Sequence, residues 1–229
     1  EEEEILFSMH SIFRIQLVKK IDGYDRLWQV NLTLAHENNS KFHVLTERLR
    51  EETFPQAKGW YRLGVLLVKL GQFDKAEQVC HIMFDQTMDQ GEKADIYNTL
   101  GTIKNGQGHY AEAIECYEKS LEIRKKALPA NHPDLATSYN NIGLVYDSMG
   151  EYSKALEYHE KSLEIRKKTL PTDHPDLATS YNNIGNLYYR MGEYSKALKY
   201  YEKSFEIRKK TLPVNHPDLA TSYNNIGLV

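Results

Sequence analysis

Ser162-Leu163-Glu164-Ile165-Arg166-Lys167-Lys168 runs through Leu170-Pro171 into His174-Pro175-Asp176-Leu177-Ala178-Thr179-Ser180-Tyr181-Asn182-Asn183-Ile184-Gly185, and nearly the same wording stands once before and once after it. Its histidine recurs as His132, His174 and His216, 42 residues apart each time. A fixed period in the range of about 20–50 residues marks a repeat array, whose units bury their apolar faces on one another rather than around one centre. Such arrays bind other chains far more often than they perform chemistry.

Each 42-residue unit reads as two helices. The spacing predicts a helix A from Pro133 to about Met149, because Tyr139, Ile142, Gly143 and Tyr146 fall at i, i+3, i+4 and i+7. Pro133 suits the first helical position, where its missing N–H costs nothing, and Asp134 complements the positive helix start. Gly150 closes helix A, since the left-handed residue after a helix is easiest for glycine. Helix B is expected from about Tyr152 to Thr169, carrying Ala155, Leu156, His159, Leu163 and Ile165. Gly143 and Ala155 are the small pair expected to bring the two antiparallel helices close.

These residues resemble the tetratricopeptide repeat (TPR). The glycine and alanine of that pattern stand as Gly64/Ala76, Gly101/Ala113, Gly143/Ala155 and Gly185/Ala197, and Gly227 opens a further unit. Trp60-Tyr61-Arg62-Leu63-Gly64 resembles the family's Trp…Leu-Gly signature, and later units have Tyr at the Trp position. The longer period, with its Ile-Arg-Lys-Lys and His-Pro-Asp segments, resembles the kinesin-light-chain type. The resemblance covers residues 55–229, as four repeats and a truncated fifth, and implies a mainly α, helix-turn-helix superhelical solenoid. Helix A would line its concave surface. With no polar capping helix after Gly227 and no initial Met, a longer parent protein is expected.

The formal charge of −3 over 229 residues gives no global field favouring nucleic acid. No apolar run approaches the roughly 18 residues of a membrane span. Cys80 and Cys116 lack metal-binding spacing and read as reduced thiols of a cytoplasmic protein.

Residues 1–54 have another texture. Ile5-Leu6-Phe7 is a short apolar run, Ser11 to Leu17 alternates partly, and Leu27 to Leu34 alternates strictly, with the turn signal Ile21-Asp22-Gly23-Tyr24 between. A short strand followed by a β-hairpin is expected in 1–35, then a linker with a short helix near Leu45 and Leu49 in 36–54. Glu2-x-Glu4 before Ile5-Leu6-Phe7 resembles the Glu-x-Glu strand of arginine-type mono-ADP-ribosyltransferases, and the hairpin resembles that fold's last strands. Residues i and i+2 of a strand face one side, so both carboxylates would meet one substrate. The resemblance implies that Glu4 is catalytic and Glu2 its partner, with NAD as substrate of the full-length parent and no cofactor for this chain alone. Ser8-Met9 departs from the pattern, and the family's upstream Arg and Ser-x-Ser elements are not in this sequence.

Two readings follow. One is a TPR module attached to the tail of such a transferase; the other is a non-enzymatic adaptor resembling kinesin light chain. In either, a protein or peptide partner is expected, with neither nucleic acid nor membrane. Asn98, Asn140, Asn182 and Asn224 share one helix-A position, with Asn141, Asn183 and Asn225 beside three of them. An amide offers both donor and acceptor, so the file can clasp the backbone of an extended segment, or else lock neighbouring repeats. Thr102, Asn105, Asp147, Asn186, Tyr189 and Arg190 vary among repeats and are the expected source of specificity. The Arg-Lys-Lys clusters at Arg124, Arg166 and Arg208 read as a solvated face, because Glu122, Glu164 and Glu206 precede Lys126, Lys168 and Lys210 by four residues. The repeated histidines stand too far apart for one metal, so no metal site is expected. His159, where other units have Tyr117 and Tyr201, reads as half-buried packing.

Overall fold

The computed structural model describes residues 59–229 and the backbone of three strands, β1 (Glu3–Leu6), β2 (Ile12–Lys20) and β3 (Trp28–Leu34). Two compact units divide the chain, Glu1–Gln86 and Thr87–Val229. In the first, the strands pair antiparallel in the order β1-β2-β3, with Glu4 opposite Arg14 and an irregularity in register between Ile15 and Leu17. Glu2, the Ile21–Tyr24 turn, and the linker with its short helix lie outside the described residues. Helices α1 (Gly59–Lys69) and α2 (Phe73–Gln86) complete this unit. They pack through the buried Leu63, Leu67, Ala76 and Val79.

The second unit is an array of antiparallel helix pairs. Its elements are α3 (Gln90–Gly106), α4 (Tyr110–Ala127), α5 (Pro133–Ser148), α6 (Tyr152–Thr169), α7 (Pro175–Arg190), α8 (Tyr194–Thr211) and α9 (Pro217–Gly227). Helix A of the central repeat therefore stops one residue before Met149, and helix B runs as its spacing predicts. Local chemistry sets the boundaries. His132, His174 and His216 each precede a helix, and their Nδ1 accepts the N–H of Asp134, Asp176 and Asp218 at 3.1–3.2 Å. At the other end, Gly150 adopts a φ of 77°, its N–H reaches Asp147 O, and Glu151 N–H reaches Tyr146 O. That pair of bonds is the Schellman stop, and Gly71, Gly108 and Gly192 repeat it.

Between the helix pairs the core forms successive apolar clusters. Leu135, Ala136, Ile142 and Val145 of α5 pack with Ala113, Tyr117 and Leu121 of α4 and with Ile165 of α6. Leu177, Ala178, Ile184 and Tyr188 of α7 pack likewise with Leu163, Ala197, Tyr201 and Ile207. Ile142 and Ile184 are fully buried, each stabilising the stack by about 1.5–3 kcal/mol. The Gly/Ala pair needs one refinement. Ala155 is fully buried, but Gly143 leaves room for the His159 ring, 3.0–3.1 Å from where a Cβ would sit. Gly101 and Gly185 do the same for Tyr117 and Tyr201, where a Cβ would come within 2.7 Å of the rings.

Candidate functional site

The A helices α3, α5, α7 and α9 share one face, and their asparagines join across it. Asn141 Nδ2 donates to Asn98 Oδ1 at 3.0 Å, Asn183 Nδ2 to Asn140 Oδ1 at 3.4 Å, and Asn225 Nδ2 to Asn182 Oδ1 at 2.9 Å. Each bond links one repeat to the next, which is the locking role open in the sequence. Each also engages one oxygen of the earlier asparagine and one N–H of the later, so both amides keep further hydrogen-bonding capacity. Asn224 sits exposed on α9.

Farther along the face, Arg190 Nη1 of α7 lies 3.1 Å from Asp147 Oδ1 of α5, and its guanidinium stands 5.8 Å from the centre of the Tyr152 ring. Burial raises the Asp147 carboxyl above its ordinary range, with Arg190 pulling the other way. Tyr189 meets Tyr194 edge to face at 5.5 Å. Asn186 Oδ1 accepts from Tyr201 OH at 2.9 Å. That buried phenol is pushed up to about 12, first by burial and then by its neighbour Tyr189, with Arg190 opposing. Asn182, Asn183, Asn186, Tyr189 and Arg190 thus lie along one helix, and Asn140, Asn141 and Asp147 along the next.

One residue of this face escaped the sequence reading. Leu144 occupies the column of Thr102 and Asn186, and is 39% exposed. The signal was available as a pairing of columns: Thr102 faces Tyr117 and Asn186 faces Tyr201, whereas Leu144 goes with His159. His159 is only 2% exposed, so it is fully buried rather than half-buried. Its Nδ1 finds no hydrogen-bond partner among the described residues. Burial, then the charge of Arg166, lowers its pKa to about 4.

The arginine clusters require a correction. Lys126 and Lys168 do form solvated pairs with Glu122 and Glu164, each at 2.6 Å. Arg124 instead turns inward, with 9% exposure. Its Nη1 donates to Ser138 Oγ at 2.9 Å and to Asp134 O at 3.3 Å on the following helix A, and its Nη2 reaches Asp95 Oδ1 at 2.7 Å. Arg166 clamps Ser180 and Asp176 O in the same way, and Arg208 clamps Ser222 and Asp218 O. A guanidinium has enough fixed donors to hold a helix carbonyl and a hydroxyl at once, and that backbone oxygen and hydroxyl draw it in. The repeated histidines are helix caps.

A stack of paired helices joined by side-chain locks, with a polar file along its A helices, is a repeat scaffold. Tetratricopeptide-repeat patterns match residues 92–168, 152–210 and 176–229, and another such pattern matches 57–80. The chain belongs to the tetratricopeptide repeat family. No curated protein matches it. Among solved structures it is similar to BtubC (BKLC) from P. vanneervenii, with a TM-score of 0.67, 23% identity, and coverage of 82% of this chain and 80% of that one. It is also similar to a kinesin-light-chain-type protein of Podosopora anserina built of nearly identical TPR-like repeats, with a TM-score of 0.62, 24% identity, and coverage of 79% and 84%. The apo form of RapI follows, at a TM-score of 0.60, 20% identity, and coverage of 73% and 64%. These likenesses establish the fold. Among the described residues no helix is long and apolar enough to cross a membrane.

Proposed function

We propose that this chain is a protein-interaction module of the kinesin-light-chain-like kind, an adaptor or scaffold whose helix-A face holds an extended segment of a partner. The observation that carries this reading is the half-engaged amide file. Asn140 Nδ2 and Asn183 Oδ1 are left over from their mutual bond, and the arrangement recurs at Asn98–Asn141 and Asn182–Asn225. Adjacent helices stand about 10 Å apart. An extended chain covers that distance in about three residues, so its N–H and C=O groups can meet one amide pair per repeat. Asn186, Tyr189 and Arg190 then supply the contacts that differ from unit to unit.

Nothing in the comparisons supports an ADP-ribosyltransferase segment in residues 1–35. Neither Glu2, Glu4 nor NAD enters this function.

The test is a double substitution, Asn140→Ala with Asn182→Ala, measured by fluorescence anisotropy against peptides selected from a random displayed library on the unaltered chain. Loss of two ligand hydrogen bonds should weaken binding by about tenfold or more. Unchanged affinity with a lowered melting temperature would make the file purely a lock between repeats.

A further inference from the structure

In the column of Thr102 and Asn186 the polar file is broken at Leu144, and again at Leu228 just beyond α9, and the break at Leu144 is paired with a change beneath it. In the flanking helix pairs the ring under helix A is a tyrosine whose hydroxyl meets a polar residue of the face. Tyr117 OH lies 3.0 Å from Thr102 Oγ1, and Tyr201 OH donates to Asn186 Oδ1 at 2.9 Å. In the α5–α6 pair both members differ. His159 packs on Gly143, and the face carries Leu144, four residues beyond Asn140 and three before Asp147. A leucine 39% exposed on this otherwise polar face is apolar surface that another apolar side chain can cover.

The charges beside the file are already matched. Asp95 holds Arg124 at 2.7 Å, and Asp147 holds Arg190 at 3.1 Å while Arg190 also leans on Tyr152. An acidic residue arriving here meets a guanidinium whose charge Asp147 already offsets, and a basic one meets a carboxylate already offset by Arg190. Asp147 has a side-chain exposure of 21%, so leaving it unpaired is costly. The pair has no net charge to offer, so charge in the partner gains little at this stretch.

We infer that the partner segment is electrically neutral where it crosses α5 and α7, and that it seats one apolar side chain on Leu144. This rests on the helix-A face being the binding face proposed above. The hydrogen bonds of the asparagine file hold the backbone, and Leu144 sets the position of the segment along it.

The experiment is selection of a random peptide library on phage against the full 229-residue chain, followed by affinity measurements on the enriched peptides. Enrichment should favour a single Leu, Ile, Met or Phe flanked by uncharged residues. Leu144→Asn, which installs the residue already tolerated at Asn186, should weaken those peptides about tenfold without lowering the melting temperature. Raising salt from about 0.05 to about 0.5 M should change affinity less than about twofold. Enrichment of acidic or basic peptides, strong weakening by salt, or indifference to Leu144→Asn overturns the inference. Any of these leaves the adaptor reading standing if Asn140→Ala with Asn182→Ala still weakens binding. An unenriched library, or peptides indifferent to both sets of substitutions, overturns both.

Discussion

His159 is the residue at which the repeat departs from its own pattern in the core. Tyr117 and Tyr201 place a hydroxyl on a polar partner, while the shorter imidazole leaves Nδ1 without one among the described residues. Burial favours the neutral ring and holds its pKa at about 4, below the ordinary value of 6.5. A folded value lowered in this way makes the stabilisation complete above about pH 6.5, and the stabilisation falls as pH drops toward 4. The loss amounts to roughly 3 kcal/mol once the ring is charged in both states. Urea unfolding should show about 2 kcal/mol of extra pH sensitivity between pH 7 and pH 5 in the unaltered chain relative to His159→Tyr. A pH slope shared by both proteins would assign the acid sensitivity elsewhere. His159→Tyr alone sets a phenol opposite Leu144. Adding Leu144→Asn recreates the Tyr201–Asn186 bond and should return about 1 kcal/mol.

Helices meet across the array through the inward-turned arginines, so these elements depend on contacts that lie far apart in sequence. Arg124 and Arg166 hold equivalent oxygens, but only Arg124 also pairs with a carboxylate, because Thr137 stands where Asp95 does. Arg124→Ala should therefore destabilise the chain more than Arg166→Ala by at least about 1 kcal/mol in equilibrium unfolding. Equal losses would mean that Asp95 adds nothing to the junction. The same contrast explains what the sequence allowed to be read. Helix positions were legible because apolar period, proline start and glycine stop are local signals. The Glu122–Lys126 and Glu164–Lys168 pairs were legible for the same reason, being one helical turn apart. The destination of Arg124 was not, since its partners lie 14 residues on and 29 back, on other helices. Histidine capping was missed because serine, threonine, aspartate and asparagine are the usual residues at that place. The asparagine file was visible as a column, but its bonds connect residues 43 apart and need the stack to be seen.

Across the second unit, stability should follow the number of neighbours each helix has, because a repeat contributes through the interfaces it makes. Helices α5 to α8 are covered on both sides, and Ile142 and Ile184 at their centres are fully buried. α9 is covered on one side of this chain. Leu219 and Ser222 in its first half are buried, and Arg208 holds Ser222 Oγ at 2.9 Å. In its second half, Ile226 is only half-buried and Tyr223 is 62% exposed. No described atom lies within 4 Å of a Cβ added at Gly227, where Gly143 and Gly185 have aromatic rings. Local opening should therefore begin at the C-terminal half of α9 and need far less free energy than global unfolding. Amide hydrogen exchange of the 229-residue chain should be fastest beyond Tyr223 and slowest between Gly143 and Ala197. Arg208→Ala removes the clamp on the first half of α9, so fast exchange should spread back to Leu219 while α5 to α8 keep their protection. If protection instead runs evenly to Val229, or if Arg208→Ala loosens the whole array at once, the helices unfold as one block and neighbour-by-neighbour stacking does not set the stability of this unit.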